Sequence, residues 1–148
     1  MPRLTTRLER SDMDAVAAVH RASFDDRLPW LAGLHTPEED RAYFGRVVFD
    51  ECEVWGTFDD ATLVGFIAFR DDWIDQLYVL PAHQGQGVGS ALLEVAQMRS
   101  SELNLWTFQR NAIARLFYER RGFVEAELTD GSRNEEREPD IRYIWRRL

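Results

Sequence analysis

Leu77-Tyr78-Val79-Leu80-Pro81-Ala82-His83-Gln84-Gly85-Gln86-Gly87-Val88-Gly89-Ser90-Ala91-Leu92-Leu93 is the stretch that decides the fold. It opens as a strand, with Ile74, Leu77 and Val79 apolar. Pro81 stops the ladder because it has no N–H to donate. It closes as a helix, with Val88, Ala91, Leu92, Val95 and Ala96 recurring at helical spacing. Between the two, three glycines fall within the five residues from Gly85 to Gly89. A turn that rich in glycine, placed just before a helix, lets backbone N–H groups approach a ligand with no side chain in the way. Those donors and the positive end of the helix dipole suit a phosphate or pyrophosphate. A plain strand-to-helix turn would need fewer glycines.

Spacing separates the possible anion cradles. A Walker-type loop requires a Lys followed by Ser or Thr, and Ser90-Ala91 follows here with no Lys nearby. A dinucleotide fingerprint requires its third glycine where this chain has Ser90. It also requires an acidic residue at the end of the next strand, which reads Thr107-Phe108-Gln109. The pattern strand, Pro81, then Gln84-x-x-Gly87-x-Gly89 and helix instead resembles the acetyl-CoA-binding motif of the Gcn5-related N-acetyltransferases, Arg/Gln-x-x-Gly-x-Gly/Ala. Leu105-x-Thr107-x-x-x-Asn111-x-x-Ala114-x-x-Phe117-Tyr118-Glu119-x-x-Gly122-Phe123 is similar to that family's second block, at the right distance from the first. Together the two blocks span roughly residues 63 to 127.

The remaining elements follow in order. Leu4 to Leu8 reads as a strand, and Ser11 with Asp14 as the capped start of a helix with Val16, Val19, His20 and Phe24 on its apolar side. Thr36 caps a second helix, with Pro37 at its first position and Tyr43, Phe44, Val47 and Val48 as its buried face. Cys52–Phe58 and Thr62–Phe69 form a hairpin turning at Asp59-Asp60. Past the glycine loop the helix runs to about Arg99, then Leu103–Phe108 is a strand. Asn111–Arg121 is a helix ended by Gly122, and Phe123–Leu128 and Ile141–Trp145 are strands around a polar loop, 130–139. The expected order is β-α-α-β-β-β-α-β-α-β-β. The fold is α/β in the broad sense: a mixed, mostly antiparallel seven-stranded sheet with about four helices, which is the family's arrangement.

Composition sets outer bounds. The 148 residues fit one domain, 1–148, and 45% hydrophobic with 30% charged residues is the composition of an ordinary globule. The net charge of −8 argues against nucleic acid as a partner and leaves room for a cationic acceptor. Cys52 is the lone cysteine, which excludes an internal disulfide and suits a reducing compartment. No apolar run reaches membrane-spanning length, and Met1-Pro2-Arg3-Leu4-Thr5 lacks the apolar core of a signal peptide, so the expected location is cytoplasmic. His20, His35 and His83 are too scattered to suggest a metal.

The resemblance assigns roles to particular residues. It implies acetyl-CoA as acyl donor, no metal, and a primary amine of a small molecule, peptide or protein as acceptor. Gly85, Gly87, Val88, Gly89 and Ser90 would hold the pyrophosphate through backbone N–H groups, with Gln84 and Gln86 in the same loop. Leu77 and Val79 would pair with the pantetheine arm as another strand does, and the Val79 N–H would face the thioester carbonyl. Asn111, a helix cap on its own chemistry, would also border the pantetheine. Tyr118 would protonate the departing thiolate as general acid. Asp75 reads equally as general base, as a recognition charge for a cationic amine, or as an edge carboxylate. Strand alternation puts it on the face of Leu77 and Val79. Asp71, Asp72, His83 or a water relay are the alternatives. Trp30 and Trp73 are candidates for the acceptor pocket, and paired C-terminal strands make a homodimer the family expectation. A non-catalytic acyl-CoA sensor and a nucleotide-binding protein are the competing functions.

Overall fold

Leu63 to Phe69 is buried without a break, so the strand that carries it must have helices on both of its faces. The computed structural model describes residues 3–148 and contains seven strands. They are β1 (Arg3–Arg7), β2 (Glu53–Asp59), β3 (Thr62–Arg70), β4 (Trp73–Val79), β5 (Glu102–Phe108), β6 (Val124–Leu128) and β7 (Asp140–Arg146). They form one sheet in the order β1-β2-β3-β4-β5-β7-β6. Every neighbouring pair is antiparallel except β4 and β5. The helices are α1 (Met13–Arg27), α2 (Pro37–Tyr43), α3 (Val88–Arg99) and α4 (Ala112–Glu119). A π-helical turn, Phe44–Val48, and a closing turn, Phe49–Glu51, prolong α2. The expected element order and sheet are observed.

Each helix starts and ends for a local reason. Thr36 accepts the Glu39 N–H at 3.1 Å and the Glu39 carboxylate accepts the Thr36 N–H at 2.7 Å, a full capping box ahead of Pro37. Asn111 caps α4 by accepting the Ala114 N–H at 3.2 Å. Gly122 follows α4 at φ +88°, a conformation a side chain would oppose. The cap expected at Ser11 lies earlier: the Glu9 N–H donates to Asp12 at 2.8 Å, and a 3₁₀ turn leads into α1. The buried face expected for α2 is corrected in part. Phe44 and Val48 are buried, whereas Tyr43 and Val47 face outward, because the π-helical turn rotates successive side chains away from 3.6 periodicity.

The sheet has a core on each face. α1 and the α2 segment cover one face, with Val16, Phe44, Val48, Phe66 and Ala68 packed together. α3 and α4 cover the other, with Ile67, Ile74, Leu92, Leu93, Leu105 and Tyr118. Leu92 is wholly buried. Leu92→Ala is expected to lower unfolding free energy by about 2–5 kcal/mol. Urea unfolding checks this as a fall in midpoint at unchanged slope.

His20 on α1 lies among Phe24, Phe44 and Tyr78, with ring centroids 5.5, 5.3 and 4.8 Å away. Burial lowers its pKa to about 4, against the opposing pull of Asp40 and Asp25. The folded chain therefore excludes a proton that the unfolded chain binds, so stability is full above pH 6.5 and falls as pH drops from about 6.5 toward 4. Urea midpoints measured between pH 7 and 5.5 are expected to fall in the wild type. They should fall less in His20→Gln, which has no proton to take up in that range.

Candidate functional site

The site follows from the one parallel pair. β4 and β5 share a single bridge, Trp73 with Asn104, reinforced where the Asn104 N–H donates to the Asp72 carbonyl at 2.7 Å. Beyond that bridge the strands part. The Leu80 N–H donates to Val64 at 2.8 Å, so alternation turns the main-chain groups of Val79 away from β3 and into the splay. The Val79 carbonyl accepts from the Gln84 side chain at 2.9 Å, and Ser23 Oγ lies 3.0 Å from it.

The glycine loop lies at the far end of this opening. Gly85 and Gly87 have φ of +76° and +86°, and a Cβ on either would meet nothing within 4 Å. Gly87 is the N-cap of α3, and no side chain caps the helix. The first intrahelical donor is Ala91, bonded to the Gly87 carbonyl at 3.1 Å, so the N–H groups of Val88, Gly89 and Ser90 have no partner within the helix. Gly89 serves a different purpose: a Cβ there would come within 3.2 Å of the Phe117 ring, so glycine lets α3 approach α4. Arg121 stacks over Phe117 at 3.8 Å and donates to Ser90 Oγ at 2.6 and 3.1 Å, adding positive charge beside the loop. Open space, unpartnered donors and a nearby guanidinium fit a pyrophosphate-bearing ligand.

Three cavities meet at the splay. A groove of about 180 Å³ is lined by Leu77, Val79, Gln84, Gly85, Gly89, Asn111 and Tyr118, with Ser23, Arg27 and Phe117. Gly87, Val88 and Ser90 form the adjoining helix start and do not line it. The Gln86 side chain turns away, receiving Arg3 from the β1 edge. A second cavity of about 290 Å³ lies under α1 and the segment leading to α2, and shares Arg27, Tyr78 and Asn111 with the first. A recess of about 60 Å³ lies in the splay itself, between Leu77 and Tyr118. Tyr118 is 7% exposed and packs edge-on against Phe117 and Phe123. Burial raises its pKa, so the phenol stays protonated at neutral pH.

Asp75 does not occupy the expected face. Gln76 pairs with Ala68 and Ile74 with Phe69, so Asp75 is the extra residue of a β-bulge. The bulge breaks alternation: Ile74 shares a core with Leu77 and Val79 although three and five residues separate them. Asp75 instead accepts from Arg70 Nε at 3.0 Å and from the Cys52 thiol at 3.3 Å. It still borders the larger cavity. Burial, followed by the Asp75 charge, raises the Cys52 pKa to about 12, which leaves that thiol inert. His83 pairs with Asp59 at 3.5 Å, and neither His83 nor Asp71 nor Asp72 borders any of these three cavities.

The two tryptophans expected in the acceptor pocket lie elsewhere. Trp73 sits at the closed end of the splay, six residues and roughly 20 Å of strand from Val79. Trp30 donates to Glu138 at 3.0 Å while Arg110 stacks on its ring at 4.0 Å and donates to the same carboxylate at 3.1 Å. Glu138 is 7% exposed, so the loop read as polar, 130–139, is anchored by a buried carboxylate. The aromatic wall of the larger cavity is Phe24, Tyr78, Trp106 and Phe108. Sequence reasoning missed His20, Ser23 and Arg27. The one-turn spacing from Ser23 to Arg27 was a legible signal only once the face of α1 toward β4 was known.

Among the described residues, no group of three His, Cys, Asp or Glu side chains could hold a metal ion. No helix among them is long and apolar enough to cross a membrane. The Acetyltransferase (GNAT) domain family matches residues 50–125. The chain is 39% identical over 71 residues to the uncharacterised N-acetyltransferase YafP of Escherichia coli K12, across 48% of this chain and 45% of that protein. It is 31% identical over 70 residues to the peptidyl-lysine N-acetyltransferase YiaC of the same organism, across 47% and 48%. The match thus spans about half the length of these curated relatives. Apo YjaB of Escherichia coli shares the fold at a TM-score of 0.83 and 20% identity over all of both chains. The PaiA N-acetyltransferase of Thermoplasma acidophilum, solved with coenzyme A, does so at 0.76 and 21% over 99% of each. The family match covers the splay, the glycine loop and α4 together, and this chain belongs to the Gcn5-related N-acetyltransferase family.

Proposed function

We propose that the chain is an acetyl-CoA-dependent N-acetyltransferase that serves a primary amine by direct attack, on the single domain 1–148 in a reducing cytoplasm. One observation carries the reading: the Val79 main chain faces an open splay between the uncapped start of α3 and the buried Tyr118. Acetyl-CoA, when bound, supplies an activated thioester.

The protein supplies position and charge. The N–H groups of Val88, Gly89 and Ser90 hold the pyrophosphate, with Arg121 beside them, and Gly85 and Gly87 leave the approach clear. Leu77 and Val79 offer main-chain groups to the pantetheine arm, and Asn111 closes its other side. The Val79 N–H stabilises negative charge as it develops on the carbonyl oxygen, worth about 10²–10³ in rate when well aimed. Tyr118 gives its proton to the departing sulfur. The amine's own proton leaves by water toward Asp75, which is bonded to Arg70 on the wall of the larger cavity. YiaC bears the name of a peptidyl-lysine acetyltransferase, so the acceptor its name states is also a primary amine.

Calorimetric titration tests the cradle. Wild type is expected to bind acetyl-CoA saturably and to ignore ATP and NAD. Gly87→Glu should abolish binding by placing a carboxylate where the phosphates belong. It does so at a cost of about 1–2 kcal/mol from its φ of +86°, so the variant's fold is checked by circular dichroism in parallel. Binding of ATP or NAD in place of acetyl-CoA would refute the transferase reading. Tyr118→Phe tests the chemical step. It is expected to lower kcat by roughly 10²-fold at near-constant acetyl-CoA affinity, read as release of free thiol.

A further inference from the structure

The walls of the two larger cavities hold two arginines, Arg21 and Arg27. Arg21 is neutralised: it pairs with Asp40 at 3.0 Å and donates to the His35 carbonyl. Arg27 is different. It stands where the two cavities adjoin, as one of the three residues that line both. Nη1 donates to Asn111 Oδ1 at 3.3 Å, and Nη2 to Gln84 Oε1. Both acceptors are neutral amides, and among the described residues no carboxylate pairs with it. A guanidinium offers five donors in a planar fork that matches a carboxylate, and it stays charged at any working pH. It is half-buried at the last turn of α1, held from both sides of the splay.

The rest of the larger cavity has the opposite sign. Asp25 and Glu136 line it with no cationic partner in contact among the described residues, alongside Asp40 and Asp75, which are paired. A ligand matched to this polarity carries negative charge at the throat, beside the reacting nitrogen, and positive charge farther out.

We propose that Arg27 is a specificity residue that receives a carboxylate on the amine acceptor, and that the acceptor is therefore a free α-amino acid with a cationic side chain. The inference rests on the transferase reading for the position of the reacting amine. The bonds of Arg27 to Gln84 and Asn111 end on neutral amide oxygens and are weaker than a bidentate ion pair with a carboxylate. An arriving carboxylate exchanges them for two parallel bonds to an opposite charge. Arg27 then holds the α-carbon at the throat with the α-amine toward the splay.

Calorimetry with three matched amines tests this, on the coenzyme A-loaded and on the free protein. Lysine carries the carboxylate, lysinamide replaces it with a neutral amide, and cadaverine lacks it. Lysine is expected to bind the loaded protein roughly 10- to 100-fold more tightly than either analogue. In Arg27→Gln that difference should collapse, while cadaverine affinity stays within about twofold. Arg27→Lys, which keeps the charge and loses the fork, should restore part of it. Equal or tighter binding of cadaverine or lysinamide would overturn the proposal. So would absence of binding by all three, or equal binding of Nα-acetyl-lysinamide, which would point to a protein-borne lysine instead. Coenzyme A affinity is read in the same titrations. Its absence would remove the transferase reading, whereas amine preference on the free protein judges Arg27 separately.

Discussion

The structure depends on a ladder that stops early. Parallel neighbours need a crossover, and here the crossover is the glycine loop and α3. The twist of a sheet draws two such strands apart unless successive bonds hold them, and only Trp73 and Asn104 do so. Strand backbone left unpaired in an interior is costly, because each N–H and C=O has lost water and gained no partner. The protein meets part of that demand locally, with Gln84 and Ser23 turned to the Val79 carbonyl. The rest is open to a ligand that resembles a strand.

Charge is then distributed around that opening. The glycine loop presents three unpartnered N–H groups and Arg121, a positive end for a phosphate-bearing group. The larger cavity on the other side is bordered by several carboxylates, in keeping with the chain's net charge of −8. Arg27 stands between the two regions. Outside the cavity, Glu138 gathers Trp30 and Arg110, and so fixes one surface loop against another. A buried carboxylate that accepts from two side chains, one of them a cation stacked over the other's ring, is well satisfied.

The candidate site divides by range of interaction. Gln84, Gly85, Gly87, Gly89, Asn111 and Tyr118 were legible because their roles arise within a few residues: a turn, an uncapped helix start, a cap, a packed aromatic. Asp75 was misplaced because alternation along one strand assumes an unbroken ladder. The bulge opposite Ala68 and Phe69 inverts it, and a bulge is decided by the pairing of two strands. Trp30 and Trp73 were misjudged for the same kind of reason. One is tied to Glu138, 108 residues away, and the other closes the splay against β5. Arg27 was invisible as a site residue, since an arginine ending an amphipathic helix looks like any solvated charge. Its partners lie 57 and 84 residues on.

By itself the sequence determined the element order, the glycine turn, the helix caps at Thr36 and Asn111, and the hairpin strand Thr62–Phe69. Each of these comes from backbone preference and local periodicity, which act over one or two turns of chain. Tertiary structure alone decided where the parallel pair parts, which face Asp75 takes, and that Arg27 faces neutral amides in the throat between two cavities. Those outcomes depend on strand register and on contacts between distant segments, and no local pattern encodes them.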